Sequence, residues 1–176
     1  MADLKTKSEA GKLDEGSVVL DPGNLFFGQV LPLTTPRPVY IGTLLASQLI
    51  EVALLDLESV EKLPGYRVDM WSWHEVDYLP NGGCAVCLAG SVMARRLGAD
   101  PHENLSPEDF DDDIEDSLEA INLLRLGNVH EALAEISLPV PAGMPDIVPI
   151  APYEDDPVQF KSDMRALAEM LRANGL

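Results

Sequence analysis

Basic residues are scarce in this chain: 12 Lys plus Arg stand against 30 Asp plus Glu over 176 residues, a formal charge of −18. A chain so short of cations meets phosphate with repulsion rather than counterion release, so direct nucleic-acid binding is not expected. Anionic membrane surfaces are disfavoured for the same reason, and a basic protein partner is favoured. Long apolar runs are also missing. The longest uncharged stretches, Pro22 to Pro36 and Pro38 to Ile50, are interrupted by proline or glycine. Both fall short of the roughly 18 apolar residues that a spanning helix needs. Residues 1–16 alternate Lys5, Lys7 and Lys12 with Asp3, Glu9, Asp14 and Glu15 and hold no apolar core of a signal peptide. The expected location is therefore cytoplasmic. Cysteine is limited to Cys84 and Cys87, which is not the spread of a disulfide scaffold and fits a reducing compartment.

Enough apolar residues are present, 46%, for the chain to fold rather than remain a disordered polyanion. The expected organisation is a flexible arm over 1–16 followed by a single globular domain over 17–176. Between 17 and 41, Asp21-Pro22-Gly23-Asn24 and prolines 32, 36 and 38 punctuate short apolar runs, which predicts extended segments or one hairpin. From Thr43 to Leu63, Ala46, Ile50, Ala53, Leu57 and Val60 recur at helical spacing, ahead of Pro64-Gly65, predicting an amphipathic helix with a broad buried face. After Asn81-Gly82-Gly83, residues 84–97 read as a second helix closed by Gly98, with Ala85, Ala89, Gly90 and Ala94 permitting close approach of another helix or of backbone.

Ser106-Pro107-Glu108-Asp109 carries a cap serine, a proline at the first helical position and a carboxylate three residues after the cap. A helix start is expected there, with a restart near Asp112 running to Gly127 and a short helix over 129–136. Prolines 139, 141, 145, 149 and 152 predict an extended apolar connector. Asp156-Pro157 then opens a terminal helix with Phe160, Met164, Leu167, Ala168 and Leu171 on one face. The fold class is mainly α, with four or five helices and a small extended region near the N-terminus. The expected core comprises Leu45, Leu49, Ile50, Ala53, Leu57, Val60, Leu88, Val92, Leu118, Ile121, Leu124, Leu133, Phe160, Met164, Leu167 and Leu171.

The densest local chemistry is Asp69-Met70-Trp71-Ser72-Trp73-His74 followed by Cys84-Ala85-Val86-Cys87-Leu88-Ala89-Gly90. This tryptophan-containing stretch with Cys-x-x-Cys-x-Ala-Gly, residues 69–98, resembles a segment in small uncharacterised proteins of tailed phages and some bacteria. The resemblance implies a phage or prophage product, an accessory protein acting on its host, and transfers no activity. His74, Cys84, Cys87 and His102 offer a count of ligands suitable for zinc, but a single Cys pair lacks the second knuckle of a structural site, so no cofactor is expected. A zinc deaminase would need His-x-Glu and Pro-Cys-x-x-Cys; here His74 and Glu75 are adjacent and Pro80 is four residues before Cys84. Cys84 after a glycine turn at a predicted helix start could be a nucleophile, with His74 or His130 as base. A thiol–disulfide role lacks the surrounding strand–helix–strand pattern. Against these stands a structural reading, with both cysteines buried, Trp71 and Trp73 packed over the helix and His74 hydrogen-bonded locally.

Between Ala99 and Ala120 there are ten carboxylates and no Lys or Arg. Asp109, Asp111 and Asp113 do not make a calcium loop, because the sixth-position glycine and twelfth-position glutamate are missing. They are either a solvated helix start or, with Asp112, Glu115 and Asp116, a surface that docks on a basic protein. The preferred reading is a non-enzymatic acidic interaction protein, phage-encoded, that inhibits a host nucleic-acid-handling or defence protein. The alternatives are a cysteine-dependent enzyme using Cys84 and His74, and a structural or virion-associated protein whose proline-rich segments at 30–38 and 137–152 wrap neighbours.

Overall fold

A computed structural model describes residues 40–77 and 82–176. The expected arm over 1–16 and all of the 17–41 region except Tyr40 and Ile41 lie outside them. Ile41 begins a short helical turn, Ile41–Thr43, and is itself buried.

The described residues form a mainly α fold: α1 (Ala46–Val60), α2 (Leu88–Arg96), α3 (Asp112–Arg125), α4 (Val129–Glu135) and α5 (Pro157–Ala173), with a three-stranded sheet of β1 (Tyr66–Val68), β2 (His74–Asp77) and β3 (Gly83–Val86). No described helix is long and apolar enough to cross a membrane. The stripe on α1 is continuous, with Ala46, Leu49, Ile50, Ala53, Leu57 and Val60 all sealed from solvent, because residues three and four apart share one helix face. α1 is the hub: α2, α5 and α3 all pack on it. Every expected core residue is buried except Leu45, which is 38% exposed. Leu45 takes an extended backbone as the N-cap of α1 and its N–H donates to Gln48 Oε1 at 3.0 Å, so it stands before the helix rather than on its stripe.

The predicted starts at 106 and 156 are real. Ser106 and Asp109 clasp a turn over Pro107–Asp109, Asp109 Oδ2 accepting from the Ser106 N–H at 2.8 Å and from its hydroxyl at 3.1 Å; the long helix restarts at Asp112. Asp156 Oδ1 accepts from the Val158 and Gln159 N–H groups at 3.0 and 2.9 Å, satisfying donors that a helix start otherwise leaves unpaired. The proline-rich connector is stitched to its own chain. Val129 N–H donates to Asp146 O and Val148 N–H to Gly127 O, both at 2.9 Å, and Ala151 N–H donates to Asp163 Oδ2 at 2.9 Å.

The second helix is shorter than its sequence suggests. Residues 83–86 form a strand, and the helix opens only at Leu88, with Cys87 as N-cap, its sulfur accepting from the Gly90 N–H at 3.4 Å. β3 is the central strand, parallel to β1 and antiparallel to β2. Cys84, Ala85 and Val86 are all buried, so neither face of β3 meets water. Gly90 explains how α2 sits on this sheet: a Cβ built there would lie 1.6 Å from the Trp73 carbonyl oxygen, so the expected close approach is to backbone.

Candidate functional site

The register of the sheet assembles the site. His74 pairs with Val86 and Val76 with Cys84 across the antiparallel ladder, while Tyr66 pairs with Cys84 across the parallel one. Paired residues project to one face and diagonal neighbours come within reach, which brings His74 and Cys84 together although ten residues separate them. Cys84 Sγ lies 3.3 Å from His74 Nδ1. The Tyr66 ring meets the imidazole edge-on at 5.9 Å between centroids. Both Cys84 and His74 are fully buried. The other proposed ligands are elsewhere: Cys87 packs in the main core while Cys84 packs with Val60 and Val86, and His102 is exposed with its N–H on Asp100 Oδ1. Among the described residues no group of three His, Cys, Asp or Glu could hold a metal ion. His130 faces the Met144 carbonyl from α4, with Nε2 2.9 Å from that oxygen.

The pair has the composition of a nucleophile and its base but the opposite proton arrangement. His74 Nδ1 is also 2.9 Å from the Glu103 carbonyl oxygen, which can only accept, so Nδ1 carries the proton. The nitrogen that meets the sulfur is therefore a donor and cannot take the thiol proton. Burial pushes the Cys84 thiol up to about 11, with the Glu75 charge adding to the effect, and burial lowers the His74 imidazole below its usual value. A neutral thiol beside a neutral imidazole results, where nucleophilic catalysis requires thiolate. Cys84 is also displaced from the helix start expected for it, and no dipole assists its ionisation. Cys87 does stand at a helix start, yet burial raises its thiol too. Both thiols are therefore expected to stay silent toward iodoacetamide at neutral pH until denaturant is added. Fast labelling of either in the native state would contradict the burial.

Trp73 is packed against the core, as expected, but Trp71 is 80% exposed. The turn that presents it is well tied: Trp71 N–H donates to Asp69 Oδ1 at 3.1 Å, Ser72 N–H to Asp69 O at 3.1 Å, and Met70 N–H to Glu154 Oε1 at 3.3 Å. Nothing in the local sequence distinguishes the two tryptophans. A groove of about 330 Å³ between α1 and α5 has Leu54, Leu55 and Ala168 in its lining, and the Glu58–Arg165 and Glu51–Arg172 ion pairs bridge the two helices there.

The acidic run divides into carboxylates with local roles and carboxylates that face solvent. Asp109 is occupied by the Ser106 clasp. Asp111 is the N-cap of α3, and Asp112, Asp113 and Glu115 fill its first turn, where carboxylates complement the helix dipole. Asp116 follows on the same helix. Asp111, Asp112 and Asp113 are exposed, and Glu115 and Asp116 half-buried. None of the run's carboxylates forms an ion pair with a described Lys or Arg. Glu119 reports the resulting field, because burial and then the charges of Glu135, Glu115 and Glu108 push its carboxyl up. Glu135, on α4, thus extends the patch beyond residues 99–120.

No family model, curated protein or solved structure matches this chain.

Proposed function

We propose that this is a non-enzymatic protein-binding protein whose acidic α3 face docks on a basic protein partner. The observation that carries the reading is the ten carboxylates at 99–120 without a single described ion pair, reinforced by Glu135. Self-repulsion within such a patch costs stability, and a cationic partner would relieve it while being steered toward it over a Debye length of about 8 Å at physiological salt. Asp111, Asp112, Asp113, Glu115 and Asp116 are the contact residues; Asp109, committed to its clasp, is a weaker one. The Cys84–His74 pair lends no support to a cysteine-dependent enzyme, since its proton sits on the wrong atom. The finer reading, a phage-encoded inhibitor of a host nucleic-acid-handling or defence protein in the host cytoplasm, rests on the resemblance of residues 69–98 and on the charge.

The triple variant Asp111→Asn, Asp112→Asn, Asp113→Asn tests it. The Asp111 side chain makes no cap hydrogen bond and asparagine suits a helix start as well as aspartate does, so the fold should survive, the loss of about 0.3–1 kcal/mol per dipole-facing charge being offset by relief of the repulsion. Expected is salt-sensitive capture of a basic protein from host lysate by the native chain, and its loss in the variant. Capture that persists in both the variant and high salt would remove the acidic face as the contact.

A further inference from the structure

The His74 imidazole holds more than a thiol. Its Nδ1–H donates to the Glu103 carbonyl at 2.9 Å, the His74 carbonyl accepts from Leu105 N–H at 2.9 Å, and Val76 N–H donates to Asn104 Oδ1 at 2.7 Å. These three bonds fasten residues 103–105 along the outer edge of β2 as one further, irregular strand, with His74 and Leu105 in an antiparallel bridge. The fastened segment leads directly into the Ser106 clasp and α3. One atom of the fastener is unsatisfied: His74 Nε2 is buried and has no hydrogen-bond partner among the described residues.

The geometry points to a pH-operated latch, in which protonation of His74 at Nε2 releases the 100–106 segment from the edge of β2. A second N–H on the ring would be a buried donor without an acceptor in a fully buried residue, a situation that proteins avoid. Opening the segment brings water to the ring and removes the penalty. The groups facing the imidazole do not cancel it. Cys84 Sγ from β3 is a neutral thiol, Tyr66 from β1 presents an aromatic ring with Arg95 of α2 nearby, and the 99–106 segment contributes Asp100 and Glu103. Those two carboxylates do favour the cation, but both residues are exposed and act through solvent. Burial outweighs them and lowers the closed-state affinity for the proton. By linkage the closed state then has its full stability above the ordinary histidine value of about 6.5 and loses it as pH falls below that value.

Hydrogen–deuterium exchange of the full chain at about pH 7.5 and about pH 5, corrected for intrinsic rates, tests the latch, with His74→Gln carrying the same Asp56 carboxyl, which titrates at about 6, and so reporting that group's contribution separately. Expected is a severalfold loss of protection in peptides covering 74–77 and 100–106 relative to α5, and no such local loss in His74→Gln, whose neutral amide can still donate to the Glu103 carbonyl. No local loss at 74–77 and 100–106 beyond any uniform change, or an equal local loss in His74→Gln, would overturn the proposal. If that variant does not fold, a nitrogen NMR titration of the native ring takes its place. The latch requires the Nδ1–H tautomer at neutral pH and a Leu105 amide signal that moves together with ring protonation. A ring that protonates while Leu105 stays still, or that does not titrate above about pH 5, would equally overturn it.

Discussion

Gly90→Ala is expected to lower stability by about 3 kcal/mol or more, at the upper end of what overpacking costs. Gly90 lies in the first turn of α2, and the added methyl would sit 1.6 Å from the Trp73 carbonyl oxygen and 2.8 Å from its carbonyl carbon. Both are backbone atoms, unable to swing aside as a side chain would. Helix propensity opposes the effect, since alanine is better than glycine in a helix by about 1 kcal/mol, but the clash is larger. The only relief is to lift α2 off the 70–74 segment. That would break the Cys87 N–H bond to the Ser72 carbonyl at 2.6 Å and loosen a core in which Leu88, Ala89, Val92 and Met93 are buried. For a chain of this length the midpoint of thermal unfolding should fall by about 6–12 °C, measured by circular dichroism or calorimetry. A midpoint within about 2 °C of the native value would mean that α2 does not rest on the Trp73 backbone.

The same contact shows what a sequence reveals and what it conceals. Gly90 is legible as a small residue that lets something close, but not as the seat of a particular carbonyl, because that carbonyl arrives from a turn that the local pattern leaves unstructured. The long helices are readable for a local reason: the α1 stripe and the Asp156 cap of α5 involve residues at most four positions apart, whereas the Ser106 clasp opens only a single turn ahead of α3. Even there, Leu45 looks periodic while standing at the cap, since an apolar residue one step before a helix is indistinguishable from one on it. The residues of β3 read as helix from sequence because a strand buried on both faces has no alternation. What decides its state is pairing with Tyr66–Val68 and His74–Asp77, which no window of the sequence contains. Cys84 and His74 are both recognisable from sequence as reactive types, and the register brings them together. Their chemistry nonetheless depends on the Glu103 carbonyl, 29 residues further along, which fixes the proton on the nitrogen facing the thiol. Asp56 shows the limit most sharply, as a charged residue in a mostly apolar buried helix face whose partner lies 40 residues away.

Arg96→Met is the variant expected to expose that pair. Asp56 on α1 and Arg96 at the end of α2 meet through Oδ2 and Nε at 2.5 Å, with side chains 3% and 4% exposed. Burial pushes the Asp56 carboxyl up to about 6, outweighing the attraction of Arg96 and Arg95, so at neutral pH it is a carboxylate held by a guanidinium inside the protein. Methionine fills similar length without charge and leaves the carboxylate buried without that partner, a change that costs about 3–5 kcal/mol. The deficit should depend on pH in a defined direction. A carboxyl whose folded-state value is raised stabilises the fold fully below its unfolded value, near 3.8, and that contribution disappears as pH rises through about 6. Losing Arg96 raises the folded-state value further. Denaturant unfolding should therefore show a large deficit at about pH 8 that shrinks by about pH 5, where the carboxyl can take up a proton at little cost. The double variant Asp56→Leu, Arg96→Met should regain most of the loss, because two apolar side chains of similar volume replace a buried pair nearly without penalty. Equal deficits at both pH values would mean that Asp56 reaches solvent once Arg96 is gone, and that the α1–α2 interface is looser than its buried stripe implies.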